Sequence, residues 1–222
     1  MKWLELKLAT SPAGLDPVSQ LLEEQDLPPE SREYVSALEH QAEKLRFLID
    51  ALVKTSRLES GVLAMTPKRH GIQQLLDAAS AQAAPGAEAK AITLTVEPTD
   101  LTARFDPKWT AEAIGNILDN AVKYTPPGST VQVSLFREGD QVVLTVEDNG
   151  AGIPEEDLPR IFERFYRVDK ARSRAAGGTG LGLAIVRDTV EKRGGTVEAA
   201  NRPGGGAVFT VRWPWREGGG QT

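Results

Sequence analysis

The chain has 222 residues, 40% hydrophobic and 26% charged, which is the balance of a soluble globular protein with one large domain or two small ones. Its net charge of −5 argues against nucleic-acid binding, and its lack of cysteine excludes disulfides and thiolate metal sites. No apolar run reaches the roughly 18 residues of a membrane span, and the N-terminus is not a secretory signal. We therefore expect a soluble, cytoplasmic chain, and keep open that it is a piece of a larger membrane protein.

The first third of the chain carries a helical pattern. Apolar residues recur there with the alternating spacing of a coiled-coil or bundle seam: Val35, Leu38, Ala42, Leu45, Ile49 and Leu52. A shorter helix ending near Glu24 precedes them, so the two helices predict an antiparallel hairpin. One hairpin buries little surface, so we expect two copies to form a four-helix bundle. Alternatively, the seam packs on the chain's own second half.

From residue 67 onwards, helical and alternating patterns are mixed. Helices are predicted over 71–84, 107–124 and 181–193, with Asp106 as the N-cap of the second. Strands are predicted over 92–96, 131–135, 142–146, 196–200 and 208–213. The fold class is therefore α+β, an α/β sandwich in which helices cover one face of a mixed sheet. We divide the chain into a helical domain at 1–66, this sandwich at 67–216 and a disordered tail at 217–222.

A glycine-rich turn, Gly-Gly-Thr-Gly-Leu-Gly at 177–182, opens the last predicted helix. Gly178, Gly180 and Gly182 let backbone N–H groups approach an anion, and the helix start adds its dipole. The pattern is neither a P-loop, which needs a following Lys-Ser or Lys-Thr, nor a dinucleotide fingerprint. A flexible loop is the alternative interpretation.

Two asparagines, Asn116 and Asn120, lie four residues apart on one face of the helix at 107–124. Their amide oxygens suit a hard cation that phosphate oxygens also bind. Lys123 lies on the adjoining face, where its ammonium would reach those phosphates. A polar stripe facing solvent is the alternative, although asparagine is a poor helix former and the helix already has a separate apolar face.

The predicted strand at 142–146 runs out into a carboxylate, Asp148, which is followed by Gly150 and Gly152. A buried carboxylate at a strand end can accept a hydrogen bond from an exocyclic amine, which would read adenine. The alternative is an ordinary Asp-Asn-Gly turn.

In this order the three motifs resemble the N box, G1 box and G2 box of sensor histidine kinases, and residues 161–169 are similar to that family's F box. The resemblance covers 106–214 closely, and 34–61 resembles the second helix of the family's dimerisation domain. It implies the ATP-binding fold shared with type II topoisomerases and MutL, with ATP and Mg²⁺ as ligands. It also implies a homodimer through residues 1–66, a response regulator receiver domain as partner, and a membrane reached only through an upstream segment.

The resemblance also implies roles for the phosphate side of the site. Asn120 would bind Mg²⁺, Asn116 would support that site, and Lys123 would contact the phosphates, with Tyr124 packing near the nucleotide. Residues from about 167 to 178 would form a lid, in which Arg172 and Arg174 would meet the γ-phosphate. A solvated charge run is the alternative for both arginines.

On the base side, Asp148 would accept from the adenine amino group, with Gly150 and Gly152 letting the base lie close. The other positions assigned to ATP by the family motifs are Ile153, Phe165, Gly178, Thr179, Gly180, Leu181 and Gly182.

The chain departs from the family at the phosphoacceptor histidine, so no catalytic residue is assigned. Alignment on the first dimerisation helix places Leu4 or Leu6 at that position. We interpret His40 as a solvated residue of the second helix and His70 as an exposed loop residue, and a displaced phosphoacceptor is the alternative for each. Three explanations of the missing histidine stay open. The chain is a degenerate kinase that binds ATP and regulates a partner kinase, or it is an excerpt whose first helix was altered or cut, or it transfers phosphate to another protein.

Asn116 also stands where related ATPases have a glutamate general base, and an amide cannot accept a proton. The resemblance therefore favours phosphoryl transfer to a protein side chain. The expected function is that of a sensor histidine kinase, an ATP-dependent enzyme of two-component signalling. The alternatives are a nucleotide-binding pseudokinase that acts through dimerisation and an ATPase of the topoisomerase or MutL kind.

Overall fold

The computed structural model describes residues 67–168 and 180–215, together with residues 28, 31–38, 41, 42, 45 and 49. The chain divides into two units, Met1–Glu59 and Ser60–Thr222. Within the described ranges, no helix combines the length and the apolar character needed to cross a membrane.

In the first unit, the described residues from 31 to 49 are helical, as the seam pattern predicts. Three seam residues, Leu38, Leu45 and Ile49, are exposed in this single chain. The first helix of the predicted hairpin lies outside the described residues, and so do Leu4, Leu6 and His40. The hairpin and the four-helix bundle therefore stay predictions.

In its described ranges, the second unit contains seven strands and three helices. In chain order these are β1 (Lys68–Gly71), α1 (Ile72–Ala89), β2 (Thr93–Val96), β3 (Thr102–Phe105), α2 (Pro107–Tyr124), β4 (Thr130–Glu138), β5 (Gln141–Asp148), α3 (Gly182–Glu191), β6 (Thr196–Asn201) and β7 (Ala207–Pro214). The main sheet has the order β2-β4-β5-β7-β6; β2 and β4 are parallel and the other pairs antiparallel. The predicted α+β class, with a mixed sheet, is confirmed.

The core lies between the main sheet and the helices. Val131, Val133 and Leu135 alternate along β4 and are buried, whereas the residues between them are more exposed. Their partners across the core include Ile117 and Leu118 of α2, which are fully buried. Burying a side chain of this size contributes about 1.5–3 kcal/mol, so this two-residue alternation fixes which face of the sheet meets the helices.

Helix α2 has the limits that its sequence predicts. The Asp106 carboxylate accepts a hydrogen bond from the Trp109 backbone N–H at 3.2 Å, and Pro107 occupies the first turn, where its missing N–H costs nothing. At the other end, the Lys90 ammonium donates to three backbone oxygens, those of Val122, Lys123 and Thr125, at 2.9, 2.6 and 3.1 Å. The helix that carries both asparagines is therefore fixed at each end.

The predicted end of α1 at residue 84 is wrong. Pro85 stands where a helix would be expected to stop, yet the helix continues to Ala89. Ala79, Ala83 and Ala87 form a buried stripe that continues through the proline. Their packing offsets the roughly 3 kcal/mol that an interior proline costs.

A small two-stranded sheet of β1 and β3 was not predicted. Each strand has only four residues, too few to show alternation. The interpretation of His70 as an exposed loop residue is wrong, because His70 lies in β1, partly buried, with its ring centroid 5.5 Å from that of Phe105.

Candidate functional site

The N box occupies the second half of α2, and its first asparagine faces the start of α3. Asn116 is partly buried, and its Nδ2 is buried with no hydrogen-bond partner among the described residues. A Cβ placed on Gly182 would lie 3.4 Å from Asn116 Oδ1. The structure thus brings the N box and the glycine turn together, and leaves a buried amide donor there that an anionic oxygen would satisfy.

The second asparagine is held by the backbone of its own helix. Asn120 Nδ2 donates to the carbonyl oxygen of Asn116 at 3.0 Å. Because this bond uses the amide nitrogen, the atom of Asn120 that a ligand would meet is Oδ1. Oxygen is the donor atom that Mg²⁺ prefers. Asn120 therefore fits the role of a metal ligand, and Mg²⁺ held there would neutralise phosphate charge.

Lys123 belongs to a group of cations near the end of α2. Burial lowers the pKa of Lys123, and the positive charges of Arg167 and Lys90 lower it further. Its Nζ lies 5.5 Å from the centroid of the Tyr124 ring, and that tyrosine is 58% exposed. Because the fold places the positive charges of Lys123, Arg167 and Lys90 near one another, a bound anion would relieve their repulsion. This arrangement fits a phosphate chain.

Asp148 ends β5 as a buried carboxylate, only 4% exposed. Its Oδ1 accepts from the backbone N–H groups of Gly150, at 2.8 Å, and Ala207, at 3.1 Å. The Asp-Asn-Gly turn and the buried carboxylate are therefore both present. Because one oxygen takes both backbone donors, Oδ2 is the oxygen suited to accept from an amine.

Gly150 links the G1 box to the end of the N-box helix. A Cβ on Gly150 would lie 2.8 Å from the Tyr124 carbonyl oxygen. Two residues on, Gly152 has φ +76°, a conformation that favours glycine. Ile153 follows, with its backbone bonded to the side chain of Asn201.

The F box packs against Gly180, just beyond the predicted lid. Phe165 N–H donates to the Gly180 carbonyl at 2.8 Å, and a Cβ on Gly180 would lie 2.8 Å from Phe165 backbone carbon. Earlier in the F box, Phe162 is buried in edge-to-face contact with Phe209, with ring centroids 6.5 Å apart. After Gly180, Leu181 is buried and Gly182 begins α3 beside Asn116 of the N box.

The remaining lid residues assigned to ATP lie outside the described ranges: Arg172, Arg174, Gly178 and Thr179. Sequence reasoning missed Asn201 and Arg202, whose side chains contact the loop after Asp148. No short-range pattern indicates them, because 48 residues separate Asn201 from Ile153 and 54 separate Arg202 from Asp148 along the chain.

Comparison with known proteins gives one family for the second half of the chain. Residues 105–217 match the family described as histidine kinase-, DNA gyrase B- and HSP90-like ATPases. The sensor-like histidine kinase SenX3 of Mycolicibacterium smegmatis is 34% identical over 195 residues, which are 87% of this chain and 51% of SenX3. The chain therefore spans about half the length of this curated relative.

Two solved structures have the same fold. The mycobacterial sensor histidine kinase MprB is 28% identical, with a TM-score of 0.58 over 68% of this chain and 99% of that one. Full-length ShkA in complex with AMPPNP is 28% identical, with a TM-score of 0.74 over 94% of this chain and 45% of that one.

Proposed function

Because the chain belongs to the histidine kinase-, DNA gyrase B- and HSP90-like ATPase family, we propose that residues 67–216 bind ATP with Mg²⁺ for a sensor histidine kinase. The domain division at 66/67, the homodimer through 1–66, the response regulator partner and the cytoplasmic location belong to the same proposal. The observation that carries it is the close approach of the G2-box Gly182 to Asn116 and of the G1-box Gly150 to Tyr124. These contacts bring both glycine motifs to the half of α2 that holds the amide pair and the cation group.

In this proposal Asp148 reads the adenine amino group, and the triphosphate extends towards Asn116, Asn120 and Lys123. The ATP-analogue complex of ShkA supports a nucleotide in this fold. The cation group and the buried donor on Asn116 support negative charge at that end. Asn120 would hold Mg²⁺ through Oδ1, and the metal would stabilise the charge of the transferring phosphoryl group.

The proposed chemistry is phosphoryl transfer to a protein side chain rather than to water. Asn116 has an amide where an ATPase of this family would need a proton acceptor, which counts against the hydrolytic alternative. The chain lacks the phosphoacceptor that a histidine kinase needs, because Leu4 or Leu6 stands where the family has histidine. The pseudokinase alternative rests on that feature.

Incubation with γ-labelled ATP and Mg²⁺ distinguishes the three functions. Acid-labile label on the protein supports the kinase, free phosphate alone supports the ATPase, and ATP binding without either supports the pseudokinase. The Leu4→His and Leu6→His variants test whether the donor site is competent. We expect one of them to gain acid-labile label, whereas the same variant with Asp148→Asn should not.

A further inference from the structure

The last residue of β6 and the turn that follows it contact the end of β5 and the loop after it through two side chains that no sequence motif assigns. We propose that Asn201 and Arg202 are positioning residues, which hold the Asp148 carboxylate and the following loop in the arrangement that reads adenine. The inference rests on the proposed function, because it takes Asp148 as the acceptor of the adenine amino group.

Arg202 binds three consecutive residues at the end of β5. Its Nη1 donates to the Asp148 carbonyl oxygen at 2.9 Å and to Asn149 Oδ1 at 2.8 Å. Its Nη2 forms an ion pair with Glu147 Oε2 at 2.9 Å. The guanidinium is a rigid planar fork, so these bonds fix the direction in which the chain leaves the strand. That direction sets where the Asp148 side chain points.

Arg202 is itself held by the turn in which it lies. Its backbone N–H donates to the Gly206 carbonyl at 2.9 Å, and its carbonyl accepts from Gly205 N–H at 3.1 Å. The guanidinium therefore extends from a closed turn rather than from a free loop. The turn ends at Ala207, whose N–H donates to Asp148 Oδ1 at 3.1 Å. The main chain and the carboxylate of Asp148 are thus both bound to this turn.

Asn201 fixes the far end of the same loop. Its Oδ1 accepts from Ile153 N–H at 2.7 Å, and its Nδ2 donates to the Ile153 carbonyl at 2.7 Å. A Cβ on Gly152 would lie 2.8 Å from Asn201 Oδ1, so the amide fills the space beside that glycine. With residues 147–149 bound to Arg202 and Ile153 bound to Asn201, the loop between them is held at both ends.

A second arginine on the same hairpin provides a matched control. Arg212 pairs with Glu198 at 3.2 Å, and its side chain is 32% exposed, against 31% for Arg202. Its partner lies on β6 and not in the loop after Asp148. Arg202→Met and Arg212→Met therefore each remove one hairpin ion pair, but only the first loosens Asp148.

The test compares ATP with purine riboside triphosphate, which lacks the 6-amino group that Asp148 would read. Both nucleotides are titrated with Mg²⁺ into the full chain and into three variants, Arg202→Met, Asn201→Ala and Arg212→Met. We expect Arg202→Met and Asn201→Ala to weaken ATP binding by roughly tenfold, the loss of about one hydrogen bond, and to leave the analogue unchanged. Arg212→Met should keep the preference for ATP.

Equal weakening of both nucleotides, or an unchanged preference for ATP, in Arg202→Met would overturn the inference. If Arg202→Met does not fold, Arg202→Lys keeps the charge and removes the fork. An intermediate preference for ATP is then expected, and a wild-type preference would overturn the inference. Failure of the wild-type chain to bind ATP would overturn the proposed function and this inference together. If the wild-type chain binds ATP and only the expected effect of the Arg202 variants is missing, the proposed function still stands.

Discussion

At the scale of single residues, Asp148 has two tasks that one substitution separates. Its Oδ1 accepts from the backbone N–H groups of Gly150 and Ala207, which is a structural task that an amide oxygen performs equally well. The other oxygen is the one proposed to accept from adenine. In Asp148→Asn an amide NH₂ group takes the place of that oxygen, so two hydrogen-bond donors, the amide and the adenine amino group, would face each other.

Asp148→Asn should therefore keep the fold and weaken the binding of ATP. We expect thermal denaturation within a few degrees of wild type, and affinity for ATP weaker by roughly 10- to 100-fold, as for loss of a hydrogen bond to a charged group. Calorimetric titration with ATP and Mg²⁺ measures the affinity. Unchanged affinity would remove Asp148 from the site.

Lys123 should make ATP binding depend on pH. Burial and its two cationic neighbours lower its pKa from 10.5, and only the protonated ammonium attracts phosphate. As pH rises through the lowered pKa, the ammonium loses its proton, so affinity should fall at a lower pH than an ordinary lysine would give. The Lys123→Arg variant, which stays protonated, should retain affinity to higher pH. Titrations between about pH 7 and pH 10 compare the two, and identical profiles would contradict the assignment of Lys123 to the phosphates.

At the scale of elements, the connection between α1 and β2 supports the helix that carries the N box. The Lys90 ammonium donates to the carbonyl oxygens of Val122, Lys123 and Thr125, where the helix would otherwise leave acceptors without intrahelical partners. A positive charge at this end also interacts favourably with the helix dipole. The Lys90 carbonyl accepts from Gly128 N–H at 3.0 Å, which binds the following loop as well.

Lys90→Met should lower the free energy of unfolding by about 2 kcal/mol, because charge-assisted hydrogen bonds are lost. Lys108→Met is the control, since Lys108 is exposed and lies at the opposite end of α2, where a positive charge gains nothing from the dipole. Urea denaturation measures both variants. Equal decreases in the free energy of unfolding of the two variants would show that the hydrogen bonds of Lys90 do not stabilise the fold.

At the scale of the whole molecule, the seam on the N-terminal helix is the feature that predicts assembly. Leu38, Leu45 and Ile49 are exposed in the single chain, and exposed apolar side chains at coiled-coil spacing are typical of a surface that a second copy covers. The chain should therefore sediment as a dimer at micromolar concentration, and a monomer would contradict the four-helix bundle.

Leu38→Glu should shift the sedimentation of the chain towards that of the monomer, because a carboxylate placed in an apolar seam loses its hydration. Ser36→Glu is its control, since Ser36 is exposed and lies on the opposite side of the helix from the seam. A dimer of equal strength in both variants would place the interface elsewhere on the chain.

The sequence by itself determined the elements whose signals are local. Helix α2 is an example, since Asp106, Pro107 and the apolar spacing after them lie within a few turns of one another. The alternation along β4 likewise determined the buried face of the sheet. The order of the N, G1 and G2 boxes was enough to predict the family, because each motif is short and contiguous.

Only the tertiary structure decided features that depend on residues far apart in the chain. Helix α1 continues through Pro85 because its alanine stripe packs in the core, and β1 and β3 form because each supplies the other's hydrogen bonds. Arg202 reaches Asp148 across 54 residues, through a turn that places it beside the end of β5. Such contacts have no periodicity and no fixed spacing, so folding is what brings their partners together.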